Sequence, residues 1–120
     1  MVNAPPKSLA LLLVGMAMLG CQSTPQKKDP AAMNLTAQEE RGRRLYEMHC
    51  EGCHDPPKAS QRNGPSLIGL YEKTMMPSGI PARDDKVREV IMDGRRMMPG
   101  YRGRLSDQQV SDMIAYMKKY

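Results

Sequence analysis

The sequence predicts an all-α domain, and three observations carry that expectation. Residues that cap helices precede two apolar runs. The last run, Val110, Met113, Ile114 and Met117, repeats at i, i+3, i+4, i+7. No stretch of useful length alternates apolar and polar residues as a half-buried strand does.

The elements follow in order. Thr36 with Glu39 three positions later, and Glu40 beside it, forms a capping-box pattern opening a helix to about Met48. That helix would place Leu35, Gly42, Leu45, Tyr46 and Met48 near one face. Gly52, Pro56-Pro57 and Asn63-Gly64-Pro65 then break regular structure. Ser66 to Tyr71 reads as a single short helical stretch, and Pro77, Gly79 and Pro81 enclose a loop. Asp84 and Asp85 open the next helix, Val87, Val90 and Ile91 line it, and Gly94 stops it. After a Met97-Met98-Pro99-Gly100 turn, Ser106 caps a last helix over Asp107 to about Lys118. Lys118 and Lys119 complement the negative end of its dipole.

The N-terminus reads differently. Leu9 to Leu19 is apolar and uncharged, preceded by Lys7 and followed by Gly20-Cys21. A membrane-crossing helix needs about 20 apolar residues, so this run reads as an export signal over residues 1–20. Gly20-Cys21 resembles the end of a bacterial lipoprotein signal, which would make Cys21 the lipidated mature N-terminus. Met18 and Leu19 depart from the usual residues there, and ordinary signal cleavage is the alternative. Residues 21–33 have no apolar period and read as a lipid-anchored tether spanning roughly 20 Å as a random coil. The domain is then 34–120, on the periplasmic side of a bacterial membrane. Gln22 in place of an aspartate favours the outer membrane.

Composition narrows the function. The chain has 120 residues, three cysteines, five tyrosines and neither Trp nor Phe. So small a domain with so few large side chains calls for a staple such as a disulfide, a metal or a buried cofactor. A multidomain enzyme, a multi-span membrane protein and a disulfide-dense scaffold are excluded. Formal net charge is +5 for the whole chain. From Asn34 onward fifteen Lys and Arg face twelve Asp and Glu, leaving +3.

Cys50-Glu51-Gly52-Cys53-His54 supplies the staple. C-x-x-C-H is the attachment sequence for a c-type haem. Two thiols on one helical turn can each add to a porphyrin vinyl group, and the next residue, His54, is held beneath the iron as an axial ligand. A zinc site would want Cys and His pairs from separated segments, whereas His49, Cys50, Cys53 and His54 are crowded into six residues. A thioredoxin-like pair would accompany a βαβ pattern, and a Cys50–Cys53 disulfide would be strained and staple little. Soft sulfur suits the opposite side of haem iron. Of twelve methionines, four lie in Met-Met-Pro turns. Met98, four residues after Gly94 and followed by a capped helix, is the expected ligand, with Met76 and then Met97 as competitors. His49 reads as a solvent-side or propionate-side residue.

These residues resemble the class I c-type cytochromes, small bacterial monohaem electron carriers, over about Leu35 to Tyr120. Gly42 and Tyr46 match the family's first helix. Gly64-Pro65-Ser66-Leu67 matches its Gly-Pro-x-Leu stretch, and Ile91, Gly94, Met98 and Pro99 match its Ile-x-x-Gly-x-x-x-Met-Pro segment. Leu105-Ser106-Asp107 and Tyr116 match the terminal helix. The resemblance implies a small cytochrome c fold, about four helices around one covalent haem, with the first and last helices crossing at Gly42 beside Tyr46 and Tyr116. It also implies that the Pro65 carbonyl orients His54. The family's usual indole near a propionate is missing; Tyr71, Arg62 and Tyr101 are substitutes whose simpler role is packing or surface.

One-electron transfer without catalysis is the expected activity, since no Ser-His-Asp set, carboxylate pair or phosphate loop accompanies the motif. Arg95, Arg96, Arg102 and Arg104 surround Met98 and would steer the protein toward an acidic patch on a redox partner. Nucleic acid is not expected as a partner. A ligand-binding haem sensor, a dedicated subunit of a dehydrogenase or oxidase complex, and a Met-rich copper-handling lipoprotein are the alternatives.

Overall fold

A computed structural model describes residues 27–120. The signal segment 1–20, Cys21 and the tether to residue 26 lie outside the described residues. Helix α1, Ala37–His49, opens on a reciprocal cap: the Glu39 N–H donates to Thr36 Oγ1 at 3.3 Å, and the Thr36 N–H donates to Glu39 Oε2 at 2.7 Å. A one-turn helix, α2, follows at Glu51–His54. Helix α3, Asp84–Asp93, has no side-chain cap; Asp84 and Asp85 in its first turn meet the positive end of the dipole. Helix α4, Asp107–Met117, repeats the reciprocal cap with Ser106 and Gln109. Short 3-10 turns occur at Pro30–Ala32, Ala59–Gln61 and Leu70–Glu72. Among the described residues there is no strand, only isolated bridges, so the all-α expectation holds.

The first and last helices cross at Gly42. A Cβ at this position would lie 1.9 Å from the Asp112 carbonyl oxygen, so only a residue without a side chain allows the two backbones so close. Tyr46, Tyr116 and Tyr120 close the crossing, with ring centroids 4.9–5.5 Å apart. Each tyrosine is 1% exposed. Tilted aromatic pairs at this separation add roughly 0.5–1.5 kcal/mol each beyond their area burial. On the other flank, Arg41 Nε donates to Asp112 Oδ2 at 2.9 Å and Gln108 Nε2 to Oδ1 at 2.9 Å. Val110, Met113, Ile114 and Met117 are all buried, as their spacing predicts, and Val87 and Ile91 of α3 join the same core.

Three details depart from the sequence expectations. Met48 is 73% exposed and is not on the core face of α1; two residues beyond Tyr46, it is turned about 200° around the helix. Ser66 to Tyr71 is not one helical stretch. Gly69 enters the left-handed region at φ +64 and only Leu70–Glu72 coils beyond it. The described end of the segment read as tether lies along the domain: Lys28 Nζ donates to the Lys119 carbonyl at 2.9 Å, Lys27 pairs with Glu51, and Met33 packs on the core. No helix of the described residues is long and apolar enough to cross a membrane.

Gly42→Ala should separate the crossing and cost about 3 kcal/mol, a Tm loss above roughly 10 °C by calorimetry. The Arg41 guanidinium, then the Gln108 amide, hold the Asp112 carboxyl below its ordinary 3.8. A depressed folded value contributes stability above the unfolded value and loses it as pH falls through the folded one. In urea titrations the stability gap between wild type and Asp112→Asn should therefore be constant from about pH 7 to 5. It should close as pH drops below 3.8.

Candidate haem site

The attachment segment lies at the junction of α1 and α2. Cys50 ends α1 and starts α2, so that Cys53 and His54 both donate their N–H to its carbonyl, at 3.1 and 3.0 Å. One tight turn therefore carries all three residues of the motif. Cys50 is 6% exposed, and burial pushes its thiol up to about 12. Cys53 is exposed, and neither cysteine is in a disulfide. Among the described residues, no group of three or more His, Cys, Asp and Glu side chains gathers as a metal-binding set. A closed zinc site is thus without its ligands there.

His54 is 8% exposed, with Nδ1 2.7 Å from the Pro65 carbonyl oxygen. A carbonyl can only accept, so Nδ1 carries the proton and donates. Nε2 is left as the basic nitrogen, the tautomer a metal-ligating histidine needs, and Nε2 has no hydrogen-bond partner among the described residues. Gly64 lies flat against the same ring: a Cβ there would come within 2.7 Å of Cε1 and Nδ1. The loop is drawn onto the motif by the Asn63 and Gly64 N–H groups, both donating to the Cys53 carbonyl at 2.9 Å.

Asp55 escaped the sequence reading. Its carboxylate is 7% exposed and accepts from Tyr46 Oη at 2.7 Å, Ser66 Oγ at 2.5 Å and the Leu67 N–H at 3.0 Å. These donors are nine to twelve residues away in sequence, and no local pattern announces them.

The loop after α3 carries the methionines. Gly94, at φ +75, is pressed against the Met98 carbonyl and the Gly100 nitrogen, where a Cβ would stand 2.6 Å from each. Arg95 and Met98 exchange N–H···O=C bonds of 3.0 and 2.9 Å, and Arg96 at the tip takes φ +53. Met97 is 91% exposed, Met98 half-buried and Met76 9% exposed within the core. The Tyr101 hydroxyl donates to the His49 carbonyl at 2.8 Å, and its ring meets the His49 imidazole edge-on at 5.6 Å. This bond joins the Met98 loop to the residue preceding Cys50. Tyr71 lies instead beneath the Lys118 ammonium, 5.5 Å from its ring centroid, and Arg62 is exposed.

Residues 37–117 match the family described as cytochrome c oxidase, cbb3-type, subunit III. The chain belongs to the class I c-type cytochromes. A cytochrome c6-like protein of Nostoc sp. is 28% identical, over 92% of this chain and 90% of that protein. Cytochrome c2 of Blastochloris viridis is 29% identical, over 91% and 92%. A nicotinate dehydrogenase subunit from Pseudomonas putida is 30% identical over 64% of this chain, which corresponds to 7% of that much longer protein. As a class I cytochrome the protein binds one covalent c-type haem, and its residues fit that group. They comprise two unpaired thiols on one turn, an imidazole with a free Nε2 and a glycine packed against that ring where no side chain would fit. Half-buried Leu67, Ile68, Ile80, Met98 and Tyr101 supply apolar surface around the core.

Gly64→Ala would drive a methyl into the His54 ring. It should lengthen the Pro65 bond and destabilise the haem-loaded protein by roughly 2 kcal/mol. Urea unfolding followed at the haem absorption band measures the loss.

Proposed function

We propose that this cytochrome is a one-electron carrier whose haem is held by thioethers from Cys50 and Cys53, with His54 and Met98 as axial ligands. The observation that carries the reading is the His54 imidazole, its Nδ1 occupied by Pro65 and its Nε2 free, on the same turn as both thiols. When bound, the haem iron supplies the redox couple, exchanging one electron between its ferrous and ferric forms; His/Met ligation raises the potential. Around it Gly64 and Pro65 fix the imidazole plane. The Arg95–Met98 bridge holds the sulfur-bearing residue while Met97 turns to solvent. With His54 and Met98 both holding the iron, no position would remain for a substrate, and the protein would act as a carrier.

The exposed face around Met97 is cationic. Arg95, Arg96 and Arg104 have no ion-pair partner among the described residues, whereas Arg102 is bound to Asp93. That face would meet an acidic patch on the redox partner, an association weakened by salt. The protein would work on the periplasmic side of a bacterial membrane, held there by a lipid on Cys21 after removal of residues 1–20, with the outer membrane favoured. The similarity to a dehydrogenase subunit supports a second reading, a permanent haem subunit of a larger complex. Purification as a monomer or as an assembly separates the two.

Visible spectra of the oxidised and reduced protein, with carbon monoxide added to the latter, test the reading. Sharp low-spin c-type bands unmoved by carbon monoxide are expected; a shift would mean an open or labile sixth position and a sensor. Cys50→Ser with Cys53→Ser should abolish covalent haem. Met98→Ala should remove the far-red sulfur-to-iron band of the ferric protein; its loss in Met76→Ala instead would overturn the ligand assignment.

A further inference from the structure

The His54–Pro65 bond is only as well defined as the loop that carries Pro65. Proline contributes no N–H of its own to pin that loop, and the next regular element, Leu70–Glu72, begins five residues later. Before Pro65 the Asn63 and Gly64 N–H groups hold the loop to the Cys53 carbonyl; after Pro65 what holds it is Asp55. One residue past His54, its carboxylate takes the hydroxyl of Ser66 on Oδ1 and the N–H of Leu67 on Oδ2, the two residues that directly follow Pro65. Ser66 Oγ in turn accepts the Ile68 N–H at 3.3 Å, extending the clamp by one residue. The Tyr46 hydroxyl, on Oδ2, ties the carboxylate back to α1 at the helix crossing. His54 and Asp55 thus hold three successive loop residues, one by its imidazole and the other by its carboxylate.

We propose that Asp55 is a positioning residue for the proximal histidine. By clamping Ser66 and Leu67 it sets the distance and direction of the Pro65 carbonyl from Nδ1, and through that bond the electron-donating strength of Nε2 toward the iron. The inference rests on His54 being an axial ligand. A stronger Nδ1 bond gives the imidazole more anionic character and favours ferric iron, so loosening the clamp raises the midpoint potential. It also exposes the Nδ1 proton to exchange. Carboxylate charge acts on the potential in the same direction, and the two contributions must be separated by a variant that keeps the charge.

The test compares haem-loaded wild type with Asp55→Asn, Ser66→Ala and Tyr46→Phe. It measures midpoint potential and, in the reduced diamagnetic form, the exchange rate of the His54 Nδ1 proton by NMR. Asn can keep an oxygen for the Leu67 N–H and offer its NH2 to the Ser66 Oγ, so the charge-assisted Ser66 bond gives way to a weaker, reversed one. Asp55→Asn should keep the covalent haem and its low-spin bands, raise the potential, and exchange the Nδ1 proton roughly tenfold faster, the equivalent of one lost hydrogen bond. Ser66→Ala removes a loop bond at constant charge and should move both readouts the same way. Tyr46→Phe removes a bond that does not touch the loop and should leave exchange near wild type. If Asp55→Asn and Ser66→Ala both leave exchange unchanged, Asp55 is a packing group and the proposal fails; should Asp55→Asn not fold, Ser66→Ala alone decides it. A wild type whose Nδ1 proton lacks the large ring-current shift of an iron-bound imidazole would sink the ligand assignment itself, a distinct outcome.

Discussion

The approach of two backbones at Gly42 and Asp112 is the constraint from which the rest of the domain is built. A protein without Trp or Phe cannot fill a wide gap between helices, so α1 and α4 must lie nearly in contact. Once they do, three tyrosines suffice to close the crossing, and Asp112 finds Arg41 and Gln108 at its edge. The crossing also fixes where α1 ends. Cys50 is its C-cap and the N-cap of α2, so the turn carrying Cys53 and His54 starts from that end.

From there the cofactor site is assembled out of short reaches. The single turn of α2 presents the thiols and the imidazole together. The Gly64–Leu67 loop returns over it, drawn in by the Cys53 carbonyl on one side and the Asp55 carboxylate on the other. Burying a carboxylate is costly unless its lone pairs are used. Here three donors use them, and each comes from an element the site needs in place. Polar satisfaction and site geometry are therefore met by the same bonds.

Much of this was legible in the sequence because it is local. Thr36 and Ser106 announce helix starts since the orphan N–H groups they cap lie within three residues. Gly94 announces a stop because few other residues turn left-handed without strain. The C-x-x-C-H segment was legible for the same reason, its chemistry contained in one turn. Gly42 was readable only by family resemblance, for nothing in its neighbourhood says which backbone it will touch. Asp55 was not legible, because its partners lie 9 to 12 positions away in a helix and a loop with no shared period. Gly69 shows a further limit: the apolar letters around it look helical, and one left-handed residue divides them. Met97 and Met98 are chemically identical neighbours. Their different exposures arise from the tight turn between Arg95 and Met98, a feature of the backbone.

The Tyr101–His49 bond bears on the speed of electron transfer. It braces the loop of one proposed ligand against the helix end that leads into the other, while Gly94 and Gly100 leave that loop no slack on its inner side. Dipoles and ligands held in place before the charge changes need not be rebuilt when it does. With His54 and Met98 as the ligands, the bracing keeps the inner-sphere part of the reorganisation energy small. On that reading the larger share of the barrier to an electron hop would fall to the surrounding water rather than to the ligand loop.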